Sequence, residues 1–369
     1  MERQRVFILG AGFSKQAGMP LASELTPLLR RRFQEYDLEE ALAWLASLDE
    51  RISWIKQTHE DAPPSLNIEE LFDFAHFDAL TWKIRQHMCP VGRNSGDTPY
   101  STSEAIETWL SYMEDDLVDV IWDQQKMSDE KSDAISRFAD TLRENDAIVT
   151  FNYDTLVEHS MSRAKKPWQH GFKTENGQGT VVLKMHGSIN WAVISRDQIG
   201  AFEYPLLFRK EDQNVTETTA KPTGEIEYDH VLLQIPDDKL ANCIENRILQ
   251  RSDKQYGIGI AGLGRYKPLD SIPGSGRVWH NAGRALYQAD EIYVVGFSLS
   301  PFDTMAQLHF AGVICERARK KNLPNRVVLI DPCACDRSPN FRAVFGPDVP
   351  IDPIQQPAEE VDWDALLIK

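Results

Sequence analysis

A chain of 369 residues with 42% hydrophobic content is long enough for one large domain or two smaller ones around a sizeable core. Its formal net charge of −16 repels a phosphate backbone, and no dense Lys/Arg stripe offsets it, so direct nucleic-acid binding is disfavoured. No stretch approaches the roughly 20 apolar residues that span a bilayer, and residues 1–5 lead into an apolar run without a signal-peptide pattern, so a cytoplasmic protein with no membrane partner is expected.

The first predicted element is the strand Val6-Phe7-Ile8-Leu9, apolar throughout and therefore buried on both faces. Gly10-Ala11-Gly12-Phe13-Ser14 follows, and its glycines allow a tight turn and a close backbone approach to a ligand. Residues 21–32 carry a helical pattern, so residues 10–14 sit at a strand-to-helix junction whose free N–H groups and helix dipole favour a phosphate. The fingerprint of hydride-transfer enzymes asks for a third glycine where this chain has Lys15, which counts against a dehydrogenase. A turn that needs glycine only for steric reasons is the competing reading.

Residues 36–55 are helical by spacing, with Leu38, Ala41, Leu42, Leu45 and Leu48 on one face. A second run holds Ile68, Leu71, Phe72, Ala75 and Leu80 behind a cap at Asn67, and further runs cover 104–122 and 130–143. Residues 35–145 thus form a mainly helical insertion whose many aromatics are most simply core packing, with a wall over a ligand or a partner surface as the alternative. Within it, Glu69, Glu70 and Asp73 sit at helical spacing, where an acidic site is the alternative to the preferred reading of a solvated helix face.

From Asp146 the pattern returns to short buried strands. Residues 147–151 end in Asn152-Tyr153-Asp154, 180–185 in His186-Gly187-Ser188, 291–295 in Gly296-Phe297-Ser298, and 326–330 in Asp331. Helical runs begin at Thr155 and cover 278–288 and 304–321, whereas 189–275 are weakly patterned, with a loop at 210–223 and a glycine-rich, mobile stretch at 256–277. Residues 338–369 read as a tail whose apolar end (Trp363, Leu366, Leu367, Ile368) docks on its own domain in preference to a partner.

The expected fold is α/β, a doubly wound parallel Rossmann-like sheet built from 1–34 and 146–337, with the helical insertion between. Such sheets bind ligands at the C-terminal ends of their strands, where Gly12, Ser14, Asn152, Asp154, His186, Ser298 and Asp331 all fall. Taken singly these residues have plainer uses: Asn152, Asp154 and Ser298 as helix caps, and His186 as a structural histidine. The five cysteines, at 89, 243, 315, 333 and 335, are scattered, and paired C-x-x-C clusters are absent, so no metal is expected.

Taken in order, Gly10-Ala11-Gly12-Phe13-Ser14 with Gly18-Met19-Pro20, then Thr150-Phe151-Asn152-Tyr153-Asp154, His186-Gly187-Ser188 and Gly296-Phe297-Ser298-Leu299, the motifs resemble those of the sirtuin superfamily. The resemblance is closest to the sirtuin-like NADases of bacterial antiphage defence, a branch with which Trp279 and Asp303 are also in keeping. It implies NAD+ as substrate, with the pyrophosphate held by Gly10, Ala11, Gly12 and Ser14 and the nicotinamide carboxamide met by Asp154. By the same resemblance Asn152 grips the nicotinamide ribose or positions a water, and His186 is the general base. Gly296 and Ser298 then contact the adenosine phosphate, and Asp331 the adenine ribose.

The implied activity is NAD+ glycohydrolysis to nicotinamide and ADP-ribose by an abortive-infection effector. Such an effector implies a homo-oligomer and/or a separate partner subunit, such as an ATPase translocase or a short argonaute. The chain departs from sirtuin deacylases in lacking the two zinc-binding Cys pairs, and the arginine that follows their glycine loop is absent from Gly18-Met19-Pro20-Leu21-Ala22-Ser23. The alternatives are a non-catalytic subunit that binds NAD or ADP-ribose, and a protein deacylase or ADP-ribosyltransferase.

Overall fold

The computed structural model describes residues 4–35, 39–57, 68–88, 103–128, 133–172, 179–195, 230–235, 237–245, 256–261, 263, 272, 274–301 and 303–367. The chain opens with β1 (Arg5–Leu9), the short helix α1 (Ala11–Lys15) and α2 (Ala22–Gln34). Four helices follow, α3 (Glu39–Gln57), α4 (Ile68–Met88), α5 (Ser103–Ser128) and α6 (Asp133–Thr141). Next come β2 (Ala147–Thr150), α7 (Leu156–Arg163), β3 (Trp168–His170) and β4 (Thr180–Lys184). Beyond them lie β5 (Gly187–Ser195), β6 (His230–Gln234), α8 (Asp237–Glu245) and β7 (Tyr256–Ile260). The last part holds α9 (Ser275–Gln288), β8 (Glu291–Val295), α10 (Thr304–Arg319), β9 (Arg326–Ile330), α11 (Ala334–Phe345), β10 (Ile351–Ile354) and α12 (Trp363–Leu367).

Seven strands form one sheet in the order β10-β9-β8-β1-β2-β4-β3, and every pairing in it is parallel. Strand β1 lies in the middle, with β2 and β8 on its two sides. Its side chains alternate between faces. Phe7 and Leu9 join the core under the helices of the insertion, while Val6 and Ile8 join the core under α9, α10 and α11. Covering both faces is what makes these strands apolar without a polar alternation. The expected doubly wound α/β sheet is present.

Arg5 opens β1 with its guanidinium buried against Asp146, where Nε donates to Oδ1 at 2.9 Å. The pair ties the start of β1 to the start of β2. Phe138 of α6 stands at the other end of the packing, edge-on to Phe7 at 5.2 Å, to Phe13 at 5.0 Å and to Trp363 at 5.0 Å.

Three features escape the sequence pattern. Residues 338–369, expected as a tail, supply most of α11 and the strand β10, which pairs in parallel with β9, before Trp363 and Leu367 bury themselves on the same domain. Pro353 hides that strand, because proline is tolerated only where the ladder needs no N–H donor, as at the edge that β10 forms. Strand β3 is only Trp168-Gln169-His170. Finally, β6, β5 and β7 form a separate antiparallel sheet, so residues 256–260, expected as mobile, are a paired strand. The loop expected at 210–223 lies outside the described residues, as do Leu38, Asn67, Cys89 and Ile368.

Candidate functional site

All ten residues singled out in the sequence, Gly10, Ala11, Gly12, Ser14, Asn152, Asp154, His186, Gly296, Ser298 and Asp331, line one cavity of about 560 Å³. It lies over the C-terminal ends of β4, β2, β1, β8 and β9, the five strands after which those residues stand. The insertion adds Glu69 and Ile121 to its wall, α11 adds Arg337, and the C-terminal segment adds residues 357–359. Glu69, expected on a solvated face, accepts a hydrogen bond from Ser300 Oγ at 2.7 Å. An acid at a helix start reads as solvated until its distant partner is known.

The glycines are needed because two turns touch. A Cβ on Gly10 would lie 2.6 Å from the Gly296 carbonyl oxygen, and one on Gly296, whose φ is +58°, would lie 2.2 Å from the Phe13 nitrogen. Gly10 N donates to Val295 O at 3.1 Å and Gly12 N to Gly296 O at 2.9 Å. The N–H groups expected to be free for a phosphate at these two positions are therefore spent on the neighbouring strand. What the glycines leave to the cavity is an unobstructed backbone.

Ser14 is buried and belongs to a network. Its Oγ donates to Asp154 Oδ2 at 2.8 Å and accepts from Asn152 Nδ2 at 2.9 Å. Asn152 Nδ2 also donates to Gly10 O at 3.0 Å. A carbonyl oxygen can only accept, so this contact fixes which end of the amide is nitrogen and turns Oδ1 away from the loop. Asp154 Oδ1 accepts from Leu156 N at 3.2 Å, so this carboxylate does serve the start of α7 while its other oxygen serves Ser14. Burial pushes its carboxyl above the usual range, opposed by Lys184 and by the Ser14 hydrogen bond.

Lys184, fully buried at the end of β4, donates to Glu158 Oε1 at 3.0 Å and to the Asp154 carbonyl oxygen, and so pins the segment that carries Asn152 and Asp154. The sequence held a signal for it, a lysine in the otherwise apolar run Val181-Val182-Leu183-Lys184-Met185.

His186 follows β4 and is 5% exposed. Its Nε2 lies 3.1 Å from Asp303 Oδ2, and Phe151 stands edge-on to the ring at 5.0 Å. Asp303 also caps α10, its Oδ1 accepting from Ala306 N at 3.4 Å. The cap is thus Asp303, not Ser298, which is exposed toward the cavity. The backbone around His186 is held from both sides: Ala261 N donates to His186 O at 2.7 Å, and Trp279 Nε1 to Met185 O at 3.0 Å. Phe151 and Phe297 stack at 4.3 Å and floor the cavity between β2 and β8.

At the far end, Asp331 Oδ1 accepts from Cys333 N at 2.8 Å and Oδ2 from Arg337 Nη1 at 2.6 Å. Among the described residues no group of three His, Cys, Asp or Glu is placed to hold a metal ion. Nor is any described helix long and apolar enough to cross a membrane.

Residues 146–220 match the family model of the SIR2-like domain, a stretch that contains Asn152, Asp154 and His186. No curated protein matches the chain. Among solved structures, the chain is similar to a Sir2 protein in complex with the inhibitor EX-527, 2'-O-acetyl-ADP-ribose and a deacetylated p53 peptide (13% identity, 97% of this chain and 90% of that chain, TM-score 0.32). A second similar structure is described as a structural basis for the mechanism and regulation of Sir2 enzymes (14% identity, 97% and 88%, TM-score 0.35). A third is a Sir2 mutant with a p53 peptide and NAD (11% identity, 97% and 90%, TM-score 0.36).

Proposed function

We propose that this protein is an NAD+ glycohydrolase that releases nicotinamide and ADP-ribose. The observation that carries the reading is the pairing, at the ends of β2 and β4, of an anchored amide and a carboxylate-oriented imidazole over one cavity. The SIR2-like match over the same stretch supports it.

In the proposed reaction the bond between the nicotinamide nitrogen and the ribose anomeric carbon breaks, and its electron pair leaves with the nitrogen. Nicotinamide departs neutral, so no acid is needed to assist it. Positive charge develops on the sugar, as in other glycoside cleavages, and a water adds to the anomeric carbon. Asn152 Oδ1 accepts a hydrogen bond from that water or from a ribose hydroxyl. A proton on His186 Nε2, facing Asp303, leaves Nδ1 as the ring's acceptor for the proton that the water loses. Asp154 receives the carboxamide, Gly10, Ala11, Gly12 and Ser14 seat the pyrophosphate, and Gly296, Ser298 and Asp331 take the adenosine half. Because the Gly10 and Gly12 N–H groups are engaged, these glycines serve by close approach and not by donating hydrogen bonds.

Water is favoured as acceptor over an acyl-lysine because the sequence lacks the two Cys pairs that brace the cleft of sirtuin deacylases. A role in abortive infection, with a homo-oligomer or a partner subunit holding the activity off until infection, belongs to the same proposal and rests on the resemblance to defence NADases. The test is incubation of purified protein with NAD+ and identification of products. Wild type is expected to form nicotinamide and ADP-ribose, alone or with co-expressed neighbours, while Asn152→Ala and His186→Ala keep the fold and lose turnover. Full turnover by both variants contradicts the assignment.

A further inference from the structure

We infer that the Asp331–Arg337 pair sets the choice between the two dinucleotides, favouring NAD+ and rejecting its 2'-phosphorylated form, and that Arg337 is a latent phosphate ligand held in check by Asp331. The inference rests on the NAD reading and adds to it a specificity element at the adenosine end of the cavity.

The cavity sets the orientation. His186 and Asn152 stand after β4 and β2, so the bond that breaks lies at that end, and the adenosine half extends past β1 toward β8 and β9. From β4 to β9 there are four interstrand spacings, roughly 19 Å. The side chain that meets the adenosine end is Asp331, 7% exposed, with one oxygen on Cys333 N and the other on Arg337. Each oxygen keeps a second lone pair, the complement of a vicinal ribose diol. A phosphate on the 2' oxygen removes that donor and puts a dianion against a fixed carboxylate. An acid at the ribose selects NAD+, and a free arginine there selects the phosphorylated form.

This chain has both groups in contact. Arg337 reaches the cavity with its side chain 32% exposed, and its guanidinium is tied to Asp331 at 2.6 Å. The carboxylate thus acts twice, accepting from the diol and occupying the cation that a 2'-phosphate would need.

Asp331→Asn removes the charge, keeps an acceptor for Cys333 N and releases Arg337. Dissociation constants by calorimetry and kcat/KM are measured for NAD+ and NADP+ in wild type, Asp331→Asn, Arg337→Gln and the double variant, each with a thermal melt. Wild type is expected to prefer NAD+ by about tenfold or more, and Asp331→Asn to shift the ratio toward NADP+ by a similar factor. That gain vanishes in the double variant. Arg337→Gln alone, at a side chain about a third exposed, raises the preference for NAD+, because Asp331 loses its neutralising partner. An equal shift from Asp331→Asn with or without Arg337, or an unchanged ratio in Arg337→Gln, overturns the inference while leaving the NAD reading intact. Binding of neither dinucleotide to wild type overturns both.

Discussion

His186 and Asp303 make the sharpest residue-level pair, since a carboxylate 3% exposed has few reasons to face an imidazole unless it fixes the ring or its charge. Asp303→Asn keeps the cap on α10 but not the negative charge. It is expected to lower kcat for NAD+ by about a hundredfold with little change in KM, because the charge acts on the protonated ring formed during the reaction. An unchanged kcat contradicts that role. Asp154 gives a pH prediction. Burial favours its neutral form, so the folded protein holds a proton that the unfolded chain has released, and stability falls as pH rises from the ordinary value of 3.8 through the raised folded value. Asp154→Asn removes this component. Its denaturation midpoint, compared with wild type between about pH 4 and neutrality, is expected to decline less. A parallel decline in both proteins contradicts the assignment.

At the scale of elements, the contact between the β1 turn and the β8 turn organises the site. Phe151 and Phe297, from the strands flanking β1, stack beside it, and Leu299 is held at a φ of +53°, an uncommon conformation for a side chain of its size. Gly296→Ala places a methyl group on the Phe13 backbone nitrogen in a conformation that disfavours any side chain. The expected cost in urea unfolding is about 2–4 kcal/mol, with loss of NAD turnover, whereas a change below about 0.5 kcal/mol contradicts the packing account. This contact also shows what the sequence conveys. Gly10, Gly12 and Gly296 are legible as places without a side chain, and the strands before them are legible because both faces are apolar. That the glycines serve each other as well as the cavity is not legible, since it depends on which strand neighbours β1. Lys184 was passed over although a lysine in an apolar run is the mark of a partnered charge, while Glu158 stands in a helix where an acid is ordinary.

For the molecule as a whole, the parallel sheet and the edge that carries the cavity follow from strand-end chemistry recurring in order along the chain. Arg337, Glu359 and Glu69 were hidden because they belong to segments whose position depends on long-range packing, namely the β10 register, the seat of Trp363 against Phe138 and the approach of α4 to Ser300. The insertion and the C-terminal segment therefore wall the cavity as well as filling the core. The central claim is that this cavity transfers the ADP-ribosyl group to water. The direct measurement is mass spectrometry of the products after incubating the protein with NAD+ in heavy-oxygen water. The account predicts one heavy oxygen in each ADP-ribose, on the anomeric carbon of the ribose that carried nicotinamide, and equal amounts of free nicotinamide. Nicotinamide released without labelled ADP-ribose, with the ADP-ribosyl group found on a protein or an acyl acceptor, would contradict it.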